Sequence, residues 1–354
     1  MNVNRESDGI IELLGKLIST PSLSRNEKAS ADLLQEYLES HSVPVTRINH
    51  NILVKNRYFN PGLKSILLNT HHDTVQPGNS WTRDPYQPVM EGGKIYGLGS
   101  NDAGGSVVAL LKVFIKYFAN KDLKRNLILV ISAEEEISGE KGISSVLPGV
   151  ADIEFGIVGE PTGMELAIAE KGLMVLDCIS YGKAGHAARQ TGGNAIYEAV
   201  TEIQWFRDFR FPKVSETLGP VKMTVTMIQS GTQHNIIPDR CDFTVDIRTT
   251  ESYSHNEILE IIKSNVRCEL KPRSTRLKPS GISRDHPLAV AGVKAGLKLF
   301  GSDALSDQAL MPFPTVKIGP GEASRSHQAD EYITLEEIDH GVIIYEKILN
   351  QLLF

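Results

Sequence analysis

Apolar runs of strand type alternate with runs of helix type through the first part of this 354-residue chain. Residues 65–69 and 127–132 are short apolar runs that predict buried strands, and residues 106–118 have the length and pattern of an apolar helix. Alternation of this kind favours an α/β fold with a mostly parallel sheet flanked by helices on both faces. Locally, we also expect a capping box at residues 24–27 and, late in the chain, a helix over residues 287–300.

The pattern changes after Gly172 and returns after residue 281. Between these points, strands of alternating polarity and two helices follow one another in the order βαββαβ, which is typical of a small α+β domain with one sheet face covered. The simplest account is a discontinuous first domain, residues 1–171 and 282–354, into which residues 172–281 are inserted.

Charge and cysteine content narrow the classes of partner. The net charge is −6 without any Lys/Arg-rich run, which argues against nucleic acid as a partner. The amino terminus carries charged residues among its apolar ones, so we expect neither a signal peptide nor a membrane span. Three scattered cysteines form no paired spacing, which favours reduced thiols and a cytoplasmic protein.

Polar side chains of metal-ligand type follow several of the apolar runs. His71 and Asp73 come directly after the strand at residues 65–69 and, two residues apart, point to the same side. Two imidazoles and several carboxylates are the ligand set that a pair of Zn²⁺ or similar ions takes, with an open position for water. The candidate ligands are His71, Asp102, one or more of residues 134–136, Glu160 and His327. Each has a simpler interpretation when taken alone, such as a hydrogen-bonded histidine or a solvated acidic loop.

Five short motifs carry a resemblance that covers essentially the whole chain. The sequence is similar to the metallohydrolase family that includes acetylornithine deacetylase, succinyl-diaminopimelate desuccinylase, aminoacylase and glutamate carboxypeptidase. The motifs are Thr70-His71-His72-Asp73-Thr74-Val75, Gly97-Leu98-Gly99-Ser100-Asn101-Asp102, Gly159-Glu160-Pro161-Thr162, Gly319-Pro320-Gly321, and Ser326-His327-Gln328-Ala329-Asp330-Glu331. The resemblance implies a metallopeptidase-like catalytic domain in which the inserted α+β segment is a lid and dimerisation domain.

The family pattern also implies a role for each matching residue. His71 and Glu160 would hold one metal ion, Glu136 and His327 would hold the other, and Asp102 would bridge the two. Zn²⁺ is the expected ion, with Co²⁺ or Mn²⁺ as alternatives. Glu135 would be the general base that activates the attacking water, and Asp73 would orient His71. A cis peptide bond is expected between Asp102 and Ala103.

The resemblance further implies an N-acyl amino acid as the substrate, and we favour deacetylation of N-acetylornithine or a close analogue in arginine biosynthesis. The alternatives are a desuccinylase acting on succinyl-diaminopimelate or another N-succinyl amino acid, a dipeptidase and, in a different class, a non-catalytic binding protein of the same fold. Arg248, Asn235 and Arg325 are candidates for binding the substrate. The segment around His186 resembles one whose imidazole reaches the partner's active site across a two-fold dimer, so we expect a homodimer formed through the inserted domains, with His186 as a catalytic residue.

Overall fold

The computed structural model describes residues 3–150, 152–189 and 192–354, with side chains from residue 9 onwards. Its contacts divide the chain into two compact units. Unit 1 comprises the residues up to Ile168 together with Gly281–Phe300 and Ser306–Phe354. Unit 2 comprises Ala169–Ser280 and Gly301–Leu305. The function of unit 2 as a lid and dimerisation domain stays a prediction.

The described residues form α-helices and β-strands that we number in chain order. The helices are α1 (Val3–Ile18), α2 (Lys28–Ser40), α3 (Gly105–Phe118), α4 (Ile143–Val146), α5 (Ala195–Asp208), α6 (His255–Lys263), α7 (Pro287–Lys294) and α8 (Leu335–Leu353). The strands are β1 (Thr46–Ile48), β2 (Asn51–Lys55), β3 (Ser65–His71), β4 (Val89–Glu91), β5 (Lys94–Tyr96), β6 (Asn126–Ser132), β7 (Ile153–Val158), β8 (Leu166–Glu170), β9 (Gly172–Tyr181), β10 (Gly185–His186), β11 (Lys222–Ser230), β12 (Ile236–Ile237), β13 (Arg240–Thr249), β14 (Glu269–Pro272), β15 (Ser280–Gly281), β16 (Leu299–Ser302), β17 (Thr315–Lys317) and β18 (Tyr332–Thr334).

The central sheet has the strand order β1-β2-β6-β3-β7-β17-β8-β15, with β16 also pairing with β8. Its middle strands β6, β3, β7 and β17 are parallel, whereas β1, β2 and β8 join antiparallel. Ile66 and Leu68 of β3 point into one apolar core with the long helices, and Leu67 points into a second core on the opposite face. Burial on both faces explains why β3 and β6 read as continuous apolar runs. The predicted α/β class is confirmed.

Unit 2 is built on a four-stranded antiparallel sheet in the order β11-β13-β9-β14. Alternate residues of β13 are buried, and these, with Phe206 of α5 and Ile258 of α6, form a separate apolar core. The element order βαββαβ is the predicted one, apart from the two-residue strands β10 and β12, which pair with each other. A half-solvated sheet face of this kind produces the alternating polarity seen in the sequence.

The predicted helix over residues 287–300 is wrong beyond Lys294. Gly296 has a φ of +92°, which glycine adopts without steric cost, and it ends α7 as a left-handed cap. The N–H of Leu297 donates to the carbonyl of Gly292 at 3.0 Å, so the last turn is closed by a reversal of the chain. The residues that follow form β16 instead.

Candidate metal centre

Three neighbouring parallel strands deliver polar side chains to one edge of the central sheet. β3 ends at the buried His71, and its neighbour β6 ends at Ser132, the residue beside His71 in the strand register. The acidic turn at residues 134–136 follows β6, and Glu160 lies two residues after the end of β7. The carboxyl ends of parallel strands meet at the same edge, which is where open α/β sheets keep their sites.

Hydrogen bonding fixes which nitrogen of His71 faces this edge. Nδ1 donates to the backbone carbonyl of Asp73 at 3.0 Å and lies 3.5 Å from Oδ1 of the same residue. Nε2 is therefore the nitrogen left for a ligand. It points toward Oδ1 of Asp102 at 3.2 Å and Oε1 of Glu160 at 3.7 Å. The backbone carbonyl of Asp73 thus contacts His71 more closely than its carboxylate does.

The carboxylate of Asp102 lies between two histidine groups. Oδ1 lies 3.2 Å from Nε2 of His71, and Oδ2 lies 3.7 Å from Nε2 of His327. On the second side, Nε2 of His327 also lies 3.0 Å from Oε2 of Glu136. The peptide bond between Asp102 and Ala103 is cis, as expected. All five predicted ligand side chains therefore come together. Asp102 lies between His71 with Glu160 on one side and His327 with Glu136 on the other.

The donor set fits divalent metal ions. Ligand atoms within 4.8 Å of one another occur in two sets of three side chains, His71 with Asp102 and Glu136, and His71 with Glu135 and Glu160. Imidazole nitrogens and carboxylate oxygens are the donors that Zn²⁺ takes, and carboxylates packed this closely repel one another unless a cation lies among them. These side chains could therefore hold metal at this edge of the sheet. The second set also shows that a carboxylate oxygen of Glu135 lies close to His71.

The electrostatics of the group reflect the crowding of acidic side chains. Burial raises the pKa of Glu160 to about 8, and it also raises that of Glu135 well above its usual range, with Glu160 adding to the effect on Glu135. Burial lowers the pKa of His71, but Glu160 and Glu135 outweigh this and leave it well above its ordinary value. The hydrogen bond to Glu136 raises the pKa of His327 to about 9. Positive charge is strongly favoured here.

The carboxylate of Asp73 holds the acidic turn in place. It is fully buried and accepts hydrogen bonds from the N–H of Glu135 at 3.0 Å and the N–H of Glu136 at 3.2 Å. The hydroxyl of Ser24 donates to its Oδ2 at 2.7 Å. The predicted capping box at residues 24–27 is therefore wrong, because Ser24 makes this bond and α2 begins without a side-chain cap. Asp73 therefore contacts His71 through its backbone carbonyl and both glutamates through its carboxylate.

A second buried carboxylate, Glu331, holds the loop that carries Asp102, and its role was missed in the sequence. Its oxygens accept from the backbone N–H groups of Gly99, Asn101 and Asp102 at 2.8–3.1 Å. Burial, with the nearby Asp102 charge, raises the pKa of Glu331 to about 8. Its position four residues after His327 in a quoted motif was the available signal, but the pattern does not reveal a partner more than 200 residues away in sequence.

Comparison with known proteins decides the family. The model of Peptidase family M20/M25/M40 matches residues 67–351, which is most of the chain. The chain belongs to this family. It is accordingly a metallohydrolase, and the suspected relationship to the deacetylases and desuccinylases is confirmed.

The relatives of this M20 chain are named for several different activities. The chain is 29% identical to a peptidase M20 domain-containing protein of Schizosaccharomyces pombe, and the match covers 97% of this chain and 84% of that protein. It is 29% identical to acetylornithine deacetylase of Shigella sonnei, with 91% and 92% covered, and 24% identical to succinyl-diaminopimelate desuccinylase of Wolbachia pipientis, with 96% and 92% covered.

Solved structures share the fold of the M20 chain at lower identity. Aminopeptidase PepT from Bacillus cereus has a TM-score of 0.79 and 18% identity, with 98% of each chain covered. A dinuclear metal-binding peptidase of the M20 family from Bacillus subtilis has a TM-score of 0.74 and 14% identity, again with 98% of each chain covered. These likenesses support the fold alone.

The candidate substrate residues of the M20 chain are held in different ways. In unit 2, His186 is exposed, and the N–H of Ala187 next to it donates to the carbonyl of Asn235 at 3.1 Å. Arg248, also in unit 2, pairs with Asp246 through Nε at 2.9 Å. In unit 1, Arg325 pairs with Glu337 at 2.9 Å and its guanidinium lies 4.4 Å from the ring centroid of Tyr332. The roles of all these residues stay predictions.

Proposed function

We propose that the protein hydrolyses the amide bond of an N-acyl amino acid with the help of two divalent metal ions, Zn²⁺ being the first candidate and Co²⁺ or Mn²⁺ the alternatives. The observation that carries the proposal is the position of Asp102, whose two oxygens face different histidines. His71 and Glu160 would hold one ion, Glu136 and His327 the other, with Asp102 as the bridge. A Bacillus subtilis protein with the same fold is a dinuclear metal-binding peptidase.

Glu135 is the proposed general base. The ions, when bound, would supply a water of lowered pKa and polarise the substrate carbonyl. The carboxylate of Glu135 would take the proton of the attacking water and return it to the departing amine. Glu135 directly precedes the proposed ligand Glu136, and its backbone N–H donates to the carboxylate of Asp73. In this role its side chain would reach the water without itself being a metal ligand.

For the substrate we favour N-acetylornithine or a close analogue, as in arginine biosynthesis. The Shigella sonnei relative is an acetylornithine deacetylase, and the Wolbachia pipientis relative makes an N-succinyl amino acid the principal alternative. A dipeptide substrate is the third possibility, because peptidases also have this fold. Arg248 and Arg325 are proposed to bind the α-carboxylate, which an arginine fork matches, and Asn235 is proposed to bind the same end of the substrate.

We extend the proposal to a homodimer in which His186 acts in the partner's site. The N–H of Ala188 donates to Nδ1 of His186 at 3.2 Å, so in the neutral ring Nε2 carries the proton and is free to donate. A donor aimed at the developing oxyanion typically contributes about 10²–10³ in kcat. Unit 2 also exposes Met227 and Ile228 on its edge strand β11. An apolar, unpaired edge of this kind suits an isologous contact.

The setting is proposed to be the cytoplasm. All three cysteines are free, which agrees with a reducing compartment. Among the residues that the structure describes, no helix is both long and apolar enough to cross a membrane.

The test is a substrate panel measured with the purified protein. Release of acetate or succinate is followed from acetylated and succinylated ornithine, citrulline and diaminopimelate, alongside dipeptides, after loading with Zn²⁺, Co²⁺ or Mn²⁺. The Glu135→Gln variant, which keeps the size of the side chain, is the matched control for contaminating hydrolases. We expect the highest kcat/KM on an acetylated amino acid. Faster cleavage of dipeptides would replace this assignment with a peptidase, and no turnover of any amide would refute the function.

A further inference from the structure

The structure contains a buried carboxylate, that of Asp307, which no step above uses. Asp307 is 3% exposed and lies in a short turn, Asp307–Leu310, whose Leu310 packs against the apolar core that holds Leu67 of β3. The hydroxyl of Ser132 donates to its Oδ2 at 2.5 Å. A buried ionised group is costly unless it is hydrogen-bonded, so its presence here calls for a specific role.

Ser132, the hydrogen-bond partner of Asp307, lies in the central sheet next to His71. Ser132 is the last residue of β6, lies beside His71 in the register, and is followed after one residue by the acidic turn. Its hydroxyl also lies 3.0 Å from the carbonyl of Thr70, and the side-chain amide of Asn69 donates to it at 3.2 Å. The shorter, charge-assisted contact makes Asp307 the preferred acceptor of the single hydroxyl proton. A hydrogen bond thus joins the end of β6 to the turn Asp307–Leu310.

The turn Asp307–Leu310 is itself hydrogen-bonded to another strand, β17. The hydroxyl of Ser306 accepts from the N–H of Gln308 at 3.4 Å, and Nε2 of Gln308 donates to Oγ1 of Thr315 in β17 at 2.9 Å. Asp307 therefore reaches Ser132 from a turn held by a different part of the sheet. Because both attachments are buried, movement of β6 relative to the turn would break hydrogen bonds that water cannot replace.

We propose that Asp307 is a positioning residue that fixes the end of β6, through Ser132, and thereby places Glu135 for catalysis. This inference rests on the proposed role of Glu135 as the general base. Asp73 holds the backbone of the acidic turn at Glu135 and Glu136, and Asp307 holds the strand that leads into it. With both ends fixed, the base keeps one position relative to the ligands.

The test compares Asp307→Ala with Asp307→Asn, which retains an acceptor for Ser132. In metal-free protein, hydrogen exchange at the amides of Glu135 and Glu136 is measured by mass spectrometry. Asp307→Ala is expected to speed this exchange at least about tenfold, and Asp307→Asn to leave it near the wild-type rate. Gln308→Ala, which weakens the anchor of the same turn but keeps the bond to β6, is expected to speed the exchange by less than Asp307→Ala does.

In the loaded enzyme, Asp307→Ala is expected to lower kcat by up to about 100-fold with KM little changed, and Asp307→Asn to restore most of it. Ser132→Ala should give a similar loss, and the double variant Ser132→Ala/Asp307→Ala should lose no more than either single one. Additive losses, or exchange in Asp307→Ala no faster than in the wild type, would overturn the proposal. If wild-type protein turned over no acyl amino acid, the proposed function would fail, but the exchange measurements would still decide the role of Asp307.

Discussion

Replacing Asp73 by asparagine is the perturbation whose effect the structure specifies best. The carboxylate accepts from Ser24 and from the N–H groups of Glu135 and Glu136. Burial opposes ionisation, yet His71 and Ser24 outweigh it and hold the pKa of Asp73 below its usual value, so the group is charged at neutral pH. Asparagine has the same size but offers only one oxygen, so its amide nitrogen must face a donor.

The size of the effect follows from these contacts. A hydrogen bond to a charged group contributes about 1.5–3 kcal/mol, and a neutral one roughly 1 kcal/mol. Losing one bond, at the N–H of Glu136, and weakening the others gives a loss of about 2–4 kcal/mol in the free energy of unfolding of Asp73→Asn. The turn would also shift, so we expect metal affinity to fall about 10–100-fold.

Urea denaturation of the metal-free protein and competition with a zinc chelator measure these two quantities. Asp32→Asn is the control, because Asp32 pairs with Lys28 and Arg47 at the surface. Surface pairs contribute about 0–1 kcal/mol. A loss in Asp73→Asn no larger than that in Asp32→Asn, with zinc affinity unchanged, would refute the reasoning.

Three further predictions concern the same centre. Glu135→Ala should abolish turnover with metal content unchanged, whereas Glu136→Ala should lower metal content; elemental analysis distinguishes them. Mixing His186→Ala with Glu135→Ala under subunit exchange should restore activity towards about one quarter of wild type, and no recovery would exclude action in trans. In metal-free protein, burial raises the pKa of Glu160 and of Glu331 from 4.5 to about 8, so the native state binds more protons and Tm should fall as pH rises through this window.

The sequence predicts those features of the fold for which a local pattern carries the information. The apolar runs of β3 and β6 mark strands buried on both faces, and polar residues after such runs mark the edge where His71 and Glu160 lie. Alternating polarity likewise reveals the half-solvated sheet of unit 2. These features depend on side chains that are close in sequence, so the period of the pattern is enough to predict them.

The sequence does not predict contacts whose decisive partner is distant in the chain. Ser24 has the local pattern of a helix cap, but its hydroxyl bonds to Asp73, 49 residues away. Asp307 lies 175 residues from Ser132, and nothing in its neighbourhood marks it as a buried group. A buried carboxylate gains more from such a bond than an exposed helix end gains from a cap, so tertiary packing overrides the local preference.

An anomalous difference map of zinc-loaded crystals tests the central claim most directly. Two peaks are expected, one beside His71 and Glu160 and the other beside Glu136 and His327, with the carboxylate of Asp102 between them. Glu135 should lie within reach of both peaks without ligating either. A single peak, or a peak coordinated by Glu135, would contradict the proposed two-metal centre and its general base.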